Sequence, residues 1–160
     1  MALRSLEQKR AKFAYEAVTK VKEISNSRDK NIQKKYASYV KSAPALILTN
    51  GLPSTLAFYL SKIKEGETEY TKIKEELEKF EKGEKAFENK AERIAYAYLF
   101  YQISEWLAKR SPNRITEGMD PLQYMLKESE VQTMIHLTRE TIKLLSWMRR
   151  FADAMLEKEE

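Results

Sequence analysis

Between Ile94 and Leu107 the chain carries its most apolar stretch, about 14 residues in which the polar interruptions are Gln102, Ser104 and Glu105. A bilayer-spanning helix needs about 20 predominantly apolar residues, so this segment is too short and too polar to cross a membrane. It is better read as a helix buried in a protein core, around which the rest of the chain must supply cover. The 160 residues fit one domain of ordinary size. A chain of that length can bury such a core without metals or disulfides, and the absence of cysteine excludes disulfides and thiolate metal sites.

The remaining segments read as helices separated by recognisable punctuation. Ser5 and Gln8 form a capping box, followed by apolar residues at Leu6, Phe13, Ala17, Val21 and Ile24. The polar run Ser25 to Asp29 ends this helix, and a second is expected from about Asn31 to Lys41. Ser42 then caps a short helix through Pro44 to Thr49, stopped by Asn50-Gly51. Pro53 opens the next helix and Gly66 closes it. Thr68 to Lys82 is rich in Lys and Glu, with a thin stripe of Tyr70, Ile73, Leu77 and Phe80, so it reads as a surface helix ended by Gly83. A long helix covers about Lys85 to Arg110 and stops at Ser111-Pro112, before an irregular segment through Gly118. Asp120-Pro121 caps a short helix, and Ser129 caps a final one.

No alternating strand pattern and no internal repeat is visible. The expectation is an all-α fold: a compact antiparallel helical bundle of about six to eight helices, packed around Ile94–Leu107. It forms a single domain over residues 1–160, with a first helix in 1–25, a charged surface helix in 65–92 and a final long helix in 129–157. The opening residues lack an apolar core of the kind a secretory signal carries, so the expected location is cytoplasmic, without a membrane partner.

The residues needed for chemistry are sparse. The one histidine, His136, falls on a polar helical arc with Arg139 and Lys143. A di-metal bundle would require paired Glu-x-x-His motifs, and the residue three before His136 is Thr133. Gly51, Gly66, Gly83 and Gly118 are isolated, which leaves no phosphate-cradling loop. Acidic residues are concentrated between Glu65 and Glu92, where solvated pairing along a helix is their expected role. No catalytic residue, metal site, cofactor or small-molecule substrate is expected, and the chain is not expected to be an enzyme.

Charge points instead to a binding surface. The net charge is +5, yet residues 1–41 hold 11 Lys/Arg against 4 Asp/Glu, while residues 65–92 hold 6 against 10. The basic third suits an anionic partner such as nucleic acid, and the acidic stretch argues against a uniformly coated binder. Lys34, Lys35 and Lys41 cluster around Tyr36 and Tyr39, which could stack bases or pack in the core. On the first helix Lys9, Lys12 and Lys20 are diluted by Glu16 and Glu23.

The final helix has a wide apolar arc of Val131, Met134, Ile135, Leu137, Ile142, Leu144, Leu145, Met148, Phe151, Met155 and Leu156, which other helices or another chain must cover. Its opposite arc carries Arg139, Lys143 and Arg150, at a spacing suited equally to tracking phosphates and to a solvated face. Arg10 and Arg149 fall within apolar stripes and are read first as structural, with Asp153 the expected mate of Arg149.

Three strings also carry a resemblance. Leu6-Glu7-Gln8-Lys9-Arg10-Ala11 with Phe13-Ala14-Tyr15, then Lys35-Tyr36-Ala37-Ser38-Tyr39-Val40-Lys41 with Ala43 to Leu52 and Thr55-Leu56-Ala57-Phe58, and finally Ser146 to Leu156, occur in order. Together they resemble the small helical subunit of the type III-B CRISPR (Cmr) effector complex, whereas residues 63–90 and 111–128 carry little of the likeness.

The resemblance implies a non-catalytic scaffold subunit of a ribonucleoprotein, stacked in several copies with other Cmr subunits along a guide RNA–target RNA duplex. By motif match it extends an RNA-facing role to Lys35, Lys41, Arg149 and Arg150. With the charge analysis, the candidate RNA-binding set is Lys34, Lys35, Lys41, Arg139, Lys143, Arg149 and Arg150. The alternative is a helical protein–protein adaptor without direct RNA contact.

Overall fold

The computed structural model describes residues 2–111, 116–127 and 130–159. Among the described residues it is all-α: α1 (Ala2–Arg28), α2 (Lys30–Asn50), α3 (Leu52–Ile63), α4 (Tyr70–Glu81), a 3-10 turn (Phe87–Asn89), α5 (Ala91–Glu105), a π-helical turn (Trp106–Arg110), α6 (Pro121–Lys127) and α7 (Val131–Met155). The apolar stretch is the centre of the molecule. Every residue of α5 from Arg93 to Phe100 is buried, with α2, α3 and α4 packed against it, while α7 lies on α1 and α2.

The polar residues within that stretch are part of the packing. Gln102 is buried, its Oε1 accepting from the Tyr36 hydroxyl and its Nε2 donating to the Ala17 carbonyl at 3.1 Å. One amide thereby ties α1, α2 and α5 together, and each of its buried polar atoms has a partner. At the other end of α5, the buried Arg93 donates to the carbonyls of Ile63 at 2.8 Å and Lys64 at 3.0 Å and to Glu65 at 2.9 Å. These bonds satisfy carbonyl groups that the end of α3 leaves without helical partners.

Several boundaries differ from the sequence expectation. Ser5 lies inside α1, which already begins at Ala2; the good helix formers before it leave no helix end there to cap. α2 is continuous through Pro44. The proline removes the amide that would bond to the Val40 carbonyl, but Ile32, Tyr36, Val40, Ala43 and Ile47 form one buried face on both sides of it. That burial holds the helix together, and the Ser42 hydroxyl bonds back to the Tyr39 carbonyl at 3.3 Å instead of capping a new start.

α3 ends at Ile63, capped by Lys64 in the left-handed conformation at φ +58°, two residues before Gly66. The helix expected from Lys85 starts at Ala91, because the chain first turns through Phe87, whose ring is drawn into the core. The expected cap Ser129 and part of the irregular segment, residues 112–115, lie outside the described residues.

Other signals coincide with the structure. The polar run closes α1 at Arg28, and its last residue, Asp29, has the added role of capping α2, its carboxylate accepting from the Asn31 amide at 2.9 Å. Gly51 adopts φ +90° and ψ 157°, a region essentially restricted to glycine, between α2 and α3. Tyr70, Ile73, Leu77 and Phe80 form the buried stripe of α4. Asp120 does more than cap α6 through the Gln123 amide at 3.0 Å, since its second oxygen accepts from the Tyr70 amide at the start of α4 at 2.8 Å.

Candidate nucleic-acid interface

α7 sets the orientation of most candidate residues. Leu137, Leu144, Leu145, Met148 and Ala152 face the core, and Arg139, Lys143 and Arg150 are exposed. At about 100° per residue these three cations fall within a narrow sector of the helix. Within the helix, the Arg150 guanidinium lies 5.1 Å from the centre of the Trp147 ring. Trp147 is fixed in turn by donating its indole N–H to Glu7 at 3.0 Å and by stacking near Phe151. Tyr15, about half exposed, meets Phe151 edge-on with ring centres 5.5 Å apart. This aromatic ledge beside Arg150 was not anticipated, although Trp147 and Phe151 stand in the closing motif. Its signal was the presence of two aromatic residues within four of a cation.

The other cations gather where α2 meets the end of α7. Lys34, Lys41 and Arg149 line a recess of about 310 Å³ with Ala37, Ser38, Asp153, Lys158 and Glu159. Four cations against two carboxylates leave it electropositive. Lys35 lies beside the recess and pairs with Glu159 at 3.6 Å. Sequence reasoning missed Lys158, which is separated from Lys34 by most of the chain and is brought to it only by the packing of α7 on α2. Arg139, Lys143 and Arg150 do not line this recess and lie on a neighbouring side of α7.

The two arginines read as structural part company. Arg10 is buried, donating from Nε and Nη2 to the two oxygens of Glu140 at 2.7 and 2.8 Å and from Nη1 to Glu7. Trp106 adds a third bond to Glu140 at 3.0 Å. Burial opposes ionisation of Glu140, but the hydrogen bonds from Arg10 and Trp106 outweigh it and hold the carboxyl below its ordinary range. The Trp147 bond, with Arg10, lowers Glu7 as well. Arg149 instead is exposed at the edge of α7 facing α2. Its expected mate Asp153 pairs with Lys158 at 3.5 Å, because the chain turns after α7 and brings Lys158 back toward the helix end.

The tyrosines between the lysines are packing residues. Tyr36 is fully buried and Tyr39 stacks on Tyr96 with ring centres 3.8 Å apart. Burial raises the phenol pKa of both. His136 is exposed and shares a shallow surface recess with Gln132, Thr133, Ile135 and Arg139. The apolar arc of α7 is only partly covered, as Val131 is 70% and Ile135 39% exposed.

A further groove lies between α1, α4 and α5, and its polar side chains largely satisfy one another. Lys20 pairs with Glu81 at 3.2 Å, and Tyr98 donates to the same carboxylate at 2.7 Å. Among the described residues no cluster of three or more metal-ligating side chains occurs, and no helix is long and apolar enough to cross a membrane.

The geometry thus offers a cationic row and a cationic recess on an all-helical body. A family model described as CRISPR-associated protein (Cas_Cmr5) matches residues 6–155 of the chain.

Proposed function

This chain belongs to the Cas_Cmr5 family of CRISPR-associated proteins, small subunits of type III-B Cmr complexes, and on that premise we propose that it is a non-catalytic scaffold lining the guide–target channel. Several copies stack with other Cmr subunits, and the cations of α2 and α7, of which Lys34 and Lys35 are half-buried and the others exposed, stabilise bound target RNA in antiviral defence within the cytoplasm. Base pairing between guide and target reads sequence in such assemblies, so the protein needs only to recognise backbone charge and helical shape.

The observation that carries this reading is the exposure of all three members of the Arg139, Lys143 and Arg150 row, next to the recess of Lys34, Lys41 and Arg149. Lys35 belongs to the same site through its place beside that recess.

The test is charge reversal. Complexes carrying Glu in place of Lys34, Lys35, Lys41, Arg139, Lys143 and Arg150 should assemble on guide RNA but retain target RNA poorly, with a shallower salt dependence. The isolated chain should bind RNA weakly and without sequence preference. Unchanged target affinity in the reversed complex would overturn the proposal.

The uncovered apolar residues Leu126, Val131 and Ile135 favour a second reading, a helical adaptor that meets only protein. That reading predicts unchanged RNA retention after charge reversal and failed assembly after Val131→Asp with Ile135→Asp.

A further inference from the structure

The chain does not leave the basic side of α2 bare. α7 ends at Met155, and Leu156 is buried where the backbone turns. The next amide, of Glu157, donates to Oε1 of Gln33 on α2 at 2.9 Å. Gln33 is almost fully buried and is itself held by donating to Asn26 at 2.8 Å, so the anchor is built into the fold. From it the following residues lie against α2, where Glu157 meets Lys30 at 3.8 Å and Glu159 meets Lys35 at 3.6 Å. Glu159 also lines the recess of Lys34, Lys41 and Arg149.

We propose that Glu157 and Glu159 form an intramolecular acidic cover over the basic face of α2, their carboxylates occupying positions that phosphate groups of a nucleic-acid strand take when it binds, while Lys158 between them turns to Asp153 of α7. The proposal rests on the RNA-facing role of α2 proposed above and adds its regulation.

Both ion pairs join exposed side chains at long range, and pairs of that kind contribute only about 0–1 kcal/mol. Weakness is what a displaceable cover requires, because a strand offering successive phosphates outcompetes two loose contacts, whereas an isolated anion does not. The buried anchor at Leu156 and Gln33 keeps the carboxylates at high effective concentration, so they return once the strand leaves. The cover therefore suppresses unselective RNA binding by the free subunit and yields in an assembly that presents a strand in register.

The experiment measures binding of the purified full chain to a fluorescent single-stranded RNA oligonucleotide across a salt series. Glu157→Gln with Glu159→Gln keeps the backbone anchor and removes both charges. It should tighten binding about three- to tenfold at low salt, with the gain fading as salt screens it. Glu67→Gln with Glu84→Gln, on the loops either side of α4, changes net charge equally and should give a much smaller gain. With Lys30 and Lys35 replaced by Gln, the tail substitutions should lose most of their effect.

Equal gains from the tail and the remote pair would overturn the cover. So would no gain from the tail pair while Lys34→Glu, Lys35→Glu and Lys41→Glu together still abolish binding, and that outcome leaves the RNA-facing role intact. RNA binding indifferent to those three lysine reversals would overturn the RNA-facing role of α2, and the cover with it.

Discussion

Glu140 on α7 accepts from Nε and Nη2 along one edge of the Arg10 guanidinium, at 2.7 and 2.8 Å, across 130 residues of sequence. The pair welds the first helix to the last, with Trp106 of the π-helical turn bonded to the same carboxylate. Removing one partner of such a buried pair strands a charge and costs about 3–5 kcal/mol, whereas replacing both by apolar residues of similar volume is often close to neutral. Arg10 keeps Glu7 as a partner in Glu140→Leu, so the loss should sit near the low end, about 3 kcal/mol, and lower Tm by roughly 6–12 °C at about 2–4 °C per kcal/mol for a chain of this size. Arg10→Met combined with Glu140→Leu should recover part of that loss in thermal melts, the remainder reflecting the buried Trp106 N–H left without its acceptor. A double variant as unstable as the single one would show that the pair contributes more than its charges.

The same carboxylate gives the protein an acid-sensitive seam. Glu140 and Glu7 are held below the ordinary carboxyl range in the folded state, so the unfolded chain binds more protons as pH falls. Their contribution is present in full above the unfolded carboxyl pKa of about 4.3 and is lost as pH drops through the lower folded values. Thermal melts between roughly pH 2.5 and 7 should show stability falling below about pH 4.5, with a shallower acid limb in Glu140→Gln. Parallel acid limbs in the two proteins would remove Glu140 from this role.

Asp120 caps two helices with one carboxylate, at the Tyr70 and Gln123 amides. Loss of a single cap costs about 0.5–2 kcal/mol, so Asp120→Ala should fall at or above the top of that range. Asn keeps one acceptor oxygen and can serve only one of the two amides, so Asp120→Asn should sit between wild type and Ala in urea unfolding.

Alanine at Arg139, Lys143 and Arg150 should weaken target capture by the assembled complex equally for unrelated target sequences. If all three meet phosphates of a single strand, the slope of log affinity against log salt should become shallower by about 2. Trp147→Phe should act differently, because it removes the indole bond to Glu7 and with it stability of the α1–α7 contact. Its effect should appear in the melting temperature before it appears in RNA affinity.

Much of the architecture could be read from local spacing. The helical stripes of α4 and α7, the Asn50-Gly51 stop and the Asp120 cap each depend on residues within one or two turns of one another. The errors arose where distant packing decided the outcome. Pro44 resembles a helix boundary until the buried face from Ile32 to Ile47 is seen to continue through it. Arg10 could be recognised as inward-facing, but its partner Glu140 carried no local mark.

The four-residue spacing of Arg149 and Asp153 suggests a pair along the helix, but the turn after α7 gives that carboxylate to Lys158 instead. In the candidate site, the grouping of Lys34 and Lys41 with Arg149 joins two of the family-like strings, which only the α2–α7 contact brings together. Tyr36 shows the reverse case, a residue with a binding-site neighbourhood in sequence whose hydroxyl is spent on Gln102 in the core.

The position of α4 has a dynamic consequence. It packs principally on α5, and its ends are tied down by the Asp120 bond to Tyr70 and by the Arg28 bond to the Phe80 carbonyl. A helix with one broad neighbour can open as a small cooperative unit, while α5, enclosed by several, is released only when the whole molecule unfolds. Amide exchange should accordingly divide the protein into two tiers, with α4 trading its protons through local opening and α5 reporting the global stability. Opening of that acidic helix would leave the α1–α2–α7 body, which carries the positive charge, in place.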